Sequence, residues 1–202
     1  MFGGDTTTRD SRPGLRRFLR TSLKNPVSIG AVLPSSRQLA DSLVVGMGPG
    51  ARVIELGAGT GVVTQAILDA GVAPADLIAV ERNEEFVEVL RERFPTVTVI
   101  RANALSLRHH IGEFAGPADF IISGLPLMLF PPRRQVRLLS QAFRLLQPDG
   151  CFHQFTYGGR CPVGRAVLAS LELEASFLRF MPFNLPPAFV YRLQRRRAAS
   201  VS

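Results

Sequence analysis

Three glycines at alternate positions, Gly57, Gly59 and Gly61, follow a carboxylate at Glu55 in this 202-residue chain. Glycine lets a backbone turn sharply and approach a ligand without a Cβ clash. The stretch 53–61, VIELGAGTG, follows an apolar run and opens a helical one, the context that makes a glycine loop a ligand cradle. The spacing G-x-G-x-G is not the G-x-G-x-x-G of dinucleotide enzymes, and no phosphate-loop lysine accompanies it. The acid at Glu55 suits an aminoalkyl sulfonium better than a pyrophosphate, which prefers positive surroundings. Glu81 stands 20 residues after Gly61, at the end of a second apolar run. A carboxylate there can accept hydrogen bonds from both hydroxyls of a ribose; a surface acid paired with Arg82 is the plainer reading. Asn103-Ala104 ends a third run, where an amide can meet an adenine edge or cap a helix. Ala58 and Thr60 within the loop, and Ile29-Gly30 folding over it, complete the expected cofactor contacts.

A second group of residues suggests an acceptor site. Ser123-Gly124-Leu125-Pro126 follows a fourth apolar run, and its proline would turn carbonyls toward a reacting nitrogen. Ser123, Gly124, Leu125 and Tyr157 are the candidates for contact with the reacting groups. Tyr157, Arg160, His153 and Tyr191 are the candidates for holding the acceptor, with Arg160 suited to a phosphate. His153 lies mid-strand, where a packed histidine is the commoner outcome, and His109-His110 carry no evident role.

The elements that must position these residues alternate. Strands are expected over 52–56, 77–81, 97–101, 119–123 and 151–157, with helices over 62–70, 83–94, 105–114, 131–146 and 162–171. Asn83 can cap one helix, Gly71 and Pro95 end two, and Pro148 with Gly150 should stop the long one. Two further strands, near 174–180 and 188–194, have only a short link and suit an antiparallel hairpin. Alternating strands and helices imply a parallel sheet covered on both faces. The expected fold is therefore α/β and Rossmann-like, a seven-stranded, mostly parallel sheet with one antiparallel edge strand, preceded by N-terminal helices. Residues 1–46 form the N-terminal segment and 47–202 the ligand-binding domain. Ligands of such sheets bind beyond the carboxyl ends of the strands, and Gly57, Glu81, Asn103 and Ser123 all fall at such ends.

Composition narrows the class. No apolar run reaches the roughly 18 residues needed to span a bilayer, and the arginine-rich N-terminus has no secretory apolar core. Cys151 and Cys161 make neither a disulfide framework nor a zinc site, so no metal is expected. The formal charge is +8, with 24 basic against 16 acidic residues, which favours an anionic partner. Residues 13–24 place Leu15, Phe18, Leu19 and Leu23 on one helical stripe, with Arg16, Arg17, Arg20 and Lys24 largely off it. An apolar face with flanking cations suits the surface of an anionic membrane. A helix packed on the domain is the alternative, and a second helix is expected from Ser35 or Ser36 to Gly46.

The segments Lys24-Asn25-Pro26, Gly30-Ala31-Val32-Leu33-Pro34-Ser35-Ser36, Leu56-Gly57-Ala58-Gly59-Thr60-Gly61, Ser123-Gly124-Leu125-Pro126-Leu127 and Gln154-Phe155-Thr156-Tyr157-Gly158 resemble bacterial phospholipid N-methyltransferases of the PmtA type, over about residues 15–192. The resemblance implies S-adenosylmethionine as cofactor and S-adenosylhomocysteine as product. It implies stepwise methylation of the amine of phosphatidylethanolamine, up to phosphatidylcholine. It also implies an N-terminal helix that binds anionic membrane, and so a cytoplasmic protein held at the inner face of the cytoplasmic membrane. A monomer, no metal and no nucleic-acid partner are expected. Amino-methyltransferases often carry Asn/Asp-Pro-Pro-Tyr/Phe where this chain has Ser123-Gly124-Leu125-Pro126. Ser123 lacks an amide and Leu127 offers no stacking face, which counts against an rRNA adenine dimethyltransferase. That enzyme class, a small-molecule N- or O-methyltransferase and a non-catalytic cofactor binder are the alternatives.

Overall fold

The computed structural model describes residues 34–111, 116–184 and 186–196. Seven strands form one sheet: β1 (Val53–Leu56), β2 (Leu77–Glu81), β3 (Thr98–Arg101), β4 (Ala118–Ser123), β5 (Leu146–Thr156), β6 (Leu173–Met181) and β7 (Ala188–Arg195). Their order is β3-β2-β1-β4-β5-β7-β6. The first five are mutually parallel, and β7 runs antiparallel to both β5 and β6. The reversed strand is inserted between β5 and β6. The outermost strand, β6, therefore points the same way as β5, and the β6–β7 turn lies at the edge where β1, β2 and β4 end.

Helices cover both faces. On one lie α1 (Pro34–Leu43), α2 (Val62–Asp69) and α3 (Glu84–Arg93); on the other lie α4 (Arg108–Ile111), α5 (Pro132–Leu145) and α6 (Arg165–Ser170). Period-two alternation splits the core accordingly. Ile54, Leu56, Ile121 and Phe152 pack beneath α5, whereas Val53, Leu77, Ile122 and Val190 pack against Leu43, Ile67 and Leu90. Leu39, Ala40 and Leu43 are buried, so α1 belongs to the sheet's own unit, Val32–Ser202. The stripe 13–24, together with Ile29 and Gly30, lies outside the described residues.

Local chemistry explains most boundaries. Asn83 caps α3 by accepting from the Glu85 amide at 2.9 Å. Gly71 follows α2 in the left-handed region, φ 96°, and donates to the Leu68 carbonyl. Two expectations fail. Pro148 and Gly150 do not stop α5 ahead of a loop; β5 starts at once with Leu146 and runs through both. A register shift between Ala118 and Phe120 absorbs the proline, and a Cβ at Gly150 would stand 3.1 Å from the carbonyls of Ala118 and Asp119. The described part of the helix expected over 105–114 is a 3-10 turn, Ala104–Ser106, followed by α4, and 112–114 lie outside the described residues.

One register row runs from the centre of the sheet to its rim. Leu56 pairs with Ser123, Ser123 with Gln154, Gln154 with Tyr191 and Tyr191 with Phe177. This row places the glycine loop, the turn after β4 and the end of β5 side by side.

Candidate active site

The glycine loop is built by its own hydrogen bonds. The Gly57 and Ala58 amides donate to the Val80 carbonyl at 2.8 and 3.3 Å, and the Gly61 amide donates to the Ala58 carbonyl at 2.9 Å. Gly57, Gly59 and Gly61 have φ of 76°, 56° and 85°, the region that favours glycine. At Gly61 a Cβ would stand 2.4 Å from the Phe94 ring, so α3 and its end seat against the loop. The Arg93 guanidinium donates to the Thr60 carbonyl and ties the same helix to the loop's tip.

Glu81 ends β2 with its carboxylate turned to this loop. Its Oε2 accepts from the Gly59 amide at 3.0 Å, and its Oε1 accepts from the Arg82 and Asn83 amides at 2.7 and 2.8 Å. Arg82 contributes its backbone to the site rather than an ion pair with Glu81. Asn103 is exposed and caps the next turn, its Oδ1 accepting from the Leu105 amide at 3.0 Å, with Ala104 buried beside it.

Glu55 is buried beneath the loop and accepts from the Thr64 hydroxyl at 2.6 Å. Burial is the main cause that pushes its carboxyl up to about 7; the Thr64 hydrogen bond opposes this and the charge of Glu81 adds to it. Two carboxylates therefore feel one another behind the loop, and a ligand cation placed there would lower the Glu55 pKa.

The turn after β4 presses directly on the loop. The Gly124 amide donates to the Leu56 carbonyl at 2.9 Å, and a Cβ on Gly124 would stand 2.8 Å from the Gly57 oxygen. Two buried amides hold this turn. Gln154 Nε2 donates to the Leu125 carbonyl at 2.9 Å, and Gln135 Nε2 donates to the carbonyls of Leu127 and Pro162, both at 2.9 Å. The Oε1 of Gln154 is buried without a hydrogen-bond partner. An orphaned buried acceptor costs roughly 1–3 kcal/mol, so a donor arriving with a ligand at this edge would recover stability.

The structure corrects several sequence expectations. Ser123 has no exposed surface; its hydroxyl accepts from the Leu125 amide at 3.2 Å and shapes the turn rather than meeting a ligand. The Leu125 carbonyl already accepts from Gln154 and from the Leu127 amide, so it is not a free acceptor for a reacting nitrogen. His153 is a packed histidine. It is buried, its Nδ1 lies 2.7 Å from the Leu43 carbonyl, its ring meets Phe120 edge-on, and burial lowers its pKa. Strand alternation turns it toward α1, away from Gln154 and Thr156.

Tyr157 follows β5 at the ligand edge, half-buried, edge-on to Phe155, with its hydroxyl bonded to the Asn184 side chain. Burial raises its pKa, so at neutral pH it is a neutral phenol and not a base. Arg160 is exposed on the loop that follows. Tyr191 donates to the Gly159 carbonyl at 3.1 Å and orders that loop from below. Sequence reasoning missed Gln135 and Gln154. A glutamine on the apolar stripe of α5, three and four residues ahead of Leu138 and Leu139, was the available signal for the first.

These residues fit the nucleoside end of S-adenosylmethionine. A Cβ at Gly59 would meet nothing within 4 Å, so the loop leaves room for a ligand on its outer side. Glu81 presents a carboxylate beside that room, and the Glu55–Glu81 pair supplies negative potential suited to a cationic amino acid moiety. Among the described residues no cluster of side chains could hold a metal. A shallow pocket lined by Arg52, Asp76, Thr98 and Gly116 lies at the opposite edge of the sheet.

The profile of the methyltransferase domain family matches residues 53–150. The chain is 34% identical to the ornithine lipid N-methyltransferase of Singulisphaera acidiphila over 181 residues, which cover 86% of this chain and 92% of that protein. It is 31% identical to ribosomal RNA small subunit methyltransferase A of Geobacter sulfurreducens over 131 residues, spanning 62% of this chain but 44% of that enzyme. The fold matches 1,6-didemethyltoxoflavin-N1-methyltransferase of Burkholderia thailandensis, a structure with bound S-adenosylhomocysteine, at a TM-score of 0.63 and 16% identity, covering 98% and 94% of the two chains. The glycine loop, the carboxylate at the end of β2, the strand order and the near full-length match together show that this chain belongs to the class I S-adenosylmethionine-dependent N-methyltransferases, in the family of the ornithine lipid enzyme.

Proposed function

We propose that this enzyme methylates the headgroup amine of a membrane amino-lipid, with phosphatidylethanolamine as the acceptor, at the inner face of the cytoplasmic membrane. The observation that carries this reading is the match along 92% of a lipid N-methyltransferase. The Gly30–Ser36, Ser123–Leu127 and Gln154–Gly158 motifs support it. The name of that relative favours one second reading, an ornithine-lipid amine as the acceptor. Both acceptors offer a primary amine on a lipid, and the turn after β4 has no aromatic face on which a nucleobase would stack.

Bound S-adenosylmethionine supplies an electrophilic methyl group on a sulfonium. The chain's contribution is position and dryness. Glu81 and the open space over Gly59 receive the nucleoside, Gly124 brings the acceptor turn within contact of that loop, and Gln135 with Gln154 keeps the turn rigid. The incoming amine must lose a proton before it can attack, since an alkylammonium has a pKa of about 10 in water. A partly buried site favours the neutral amine. Tyr157 stays protonated and serves as a hydrogen-bond donor to the headgroup, so the proton leaves to water or to the lipid's own phosphate. Arg160, exposed on the loop after β5, is the residue proposed to meet that phosphate.

The test is transfer from tritiated S-adenosylmethionine to vesicles that each contain one amino-lipid, followed by lipid chromatography, with 16S rRNA as a parallel acceptor. Label in methylated phosphatidylethanolamine supports the reading. Label in ornithine lipid alone moves the acceptor, and label in RNA alone rejects a lipid acceptor.

A further inference from the structure

We infer that the tip of the β6–β7 hairpin is an interfacial anchor that seats the ligand edge of the sheet on an anionic bilayer. This rests on the amino-lipid reading above, but the exposed rings it turns on are not among the residues that support that reading.

Among the described residues three of the four exposed large apolar side chains gather here, Val45 being the fourth. Phe177, Phe180 and Phe183 are 55%, 46% and 89% exposed. They are not scattered. Phe180 stacks on Phe189 at 4.6 Å between ring centroids, and Phe177 meets Tyr191 edge-on at 5.9 Å. A shared aromatic face of this kind, open to water, marks an interaction surface.

Its place in the fold selects the partner. β6 is parallel to β5, so the turn after Met181 stands at the edge where β4 and β5 deliver Gly124 and Tyr157. Register continues the contact, since Thr156 pairs with Phe189 and Phe189 with Phe180. A Cβ at Gly159 would touch the Phe189 ring at 3.7 Å. The aromatic face is thus the outer margin of the acceptor side. An amine carried by a lipid can reach this margin only if the margin meets the membrane surface.

Charge agrees. Beyond Ser123 the chain has eleven arginines and three acids, Asp149, Glu172 and Glu174. All three acids sit at the starts of β5 and β6, the opposite edge. The ligand edge on this side presents exposed Arg133, Arg134, Arg160 and Arg179 instead. Exposed rings flanked by guanidinium groups match the boundary of an anionic headgroup layer, where aromatic side chains settle and cations are attracted.

The full chain contains no tryptophan, so Phe183→Trp makes a single reporter. With phosphatidylglycerol vesicles its emission should shift to the blue and be quenched by brominated acyl chains; phosphatidylcholine vesicles should give little of either. Phe180→Ser with Phe183→Ser should weaken sedimentation with phosphatidylglycerol vesicles at least tenfold. The same variant should slow methylation of vesicle lipid while keeping the parent rate on a short-chain, monomeric amino-lipid. Unchanged thermal unfolding of the variant would confirm its fold. An unshifted reporter on vesicles that still sediment the protein would overturn the anchor, as would parent-like vesicle binding by the double variant or no vesicle binding by the parent. A switch from dimer to monomer in the variant, with vesicle binding intact, would reassign the face to a second copy of the chain. Failure of the amino-lipid reading looks different: no lipid is methylated, even as a monomer, whatever the vesicles bind.

Discussion

The Glu81 carboxylate accepts the Gly59 amide at 3.0 Å, bringing together two residues 22 positions apart, one at the end of β2 and the other in the loop after β1. This contact makes the glycine loop and the acid proposed to hold the nucleoside one unit. Replacing Glu81 with Ala removes the contact and the proposed acceptor for the ribose. Hydrogen bonds to a charged group contribute about 1.5–3 kcal/mol, so S-adenosylhomocysteine should bind at least tenfold more weakly by calorimetry. Glu81→Gln should fall between the two.

The three glycines should respond differently to alanine. Gly61→Ala puts a Cβ into Phe94 at a left-handed φ of 85° and should cost about 2–4 kcal/mol of folding stability. Gly59→Ala meets open space, so it should cost only about 1 kcal/mol while occupying room meant for the ligand. Denaturant unfolding and calorimetry on both variants should therefore separate them, with Gly61→Ala losing stability and Gly59→Ala losing affinity.

Glu55 predicts a pH dependence of stability. Its folded pKa, about 7, lies above the ordinary carboxyl value of 4.5, so the folded chain holds this proton more tightly than the unfolded chain. Stability from this group is complete below pH 4.5 and is lost as pH rises to about 7, by roughly 3 kcal/mol at most. Glu55→Gln should flatten that dependence. Thermal unfolding from pH 5 to pH 8 should show the parent losing stability relative to the variant as pH rises. An equal difference at both ends would show that Glu55 ionises normally. Cofactor binding should release a proton near pH 7, read as a buffer-dependent heat.

Gln154→Leu should leave the nucleoside site intact and loosen the acceptor turn. The Leu125 carbonyl loses a hydrogen bond at 2.9 Å, and the buried Oε1 disappears. Turnover should drop ten- to a hundredfold while S-adenosylhomocysteine affinity stays within about threefold, because misplacing a reacting group acts on kcat. An equal loss of both would mean that the turn and the loop act as one site.

Much of this was legible in the sequence because periodicity and spacing report directly on a sheet. The VIEL and LIAVE runs, the glycine loop and the distance to Glu81 located the ends of β1 and β2, and the third and fourth apolar runs located those of β3 at Arg101 and β4 at Ser123. Side-chain direction was not legible. His153 and Gln154 are neighbours in sequence, yet alternation sends one to the Leu43 carbonyl and the other to the acceptor turn. Ser123 looked like a ligand contact because hydroxyls at strand ends often are; its burial and its bond to the Leu125 amide depend on β5 and the glycine loop closing around it. Pro148 and Gly150 read as a break because sequence patterns do not show a bulge supported by a neighbouring strand.

The most direct measurement is mass spectrometry of lipids extracted from a host that makes phosphatidylethanolamine but no methylated derivative, with and without expression of this chain. The account predicts new mono- and dimethylated phosphatidylethanolamine, each heavier by one methylene unit per step, and their absence with Glu81→Ala. An unchanged lipid profile from cells whose soluble protein binds S-adenosylhomocysteine would contradict it.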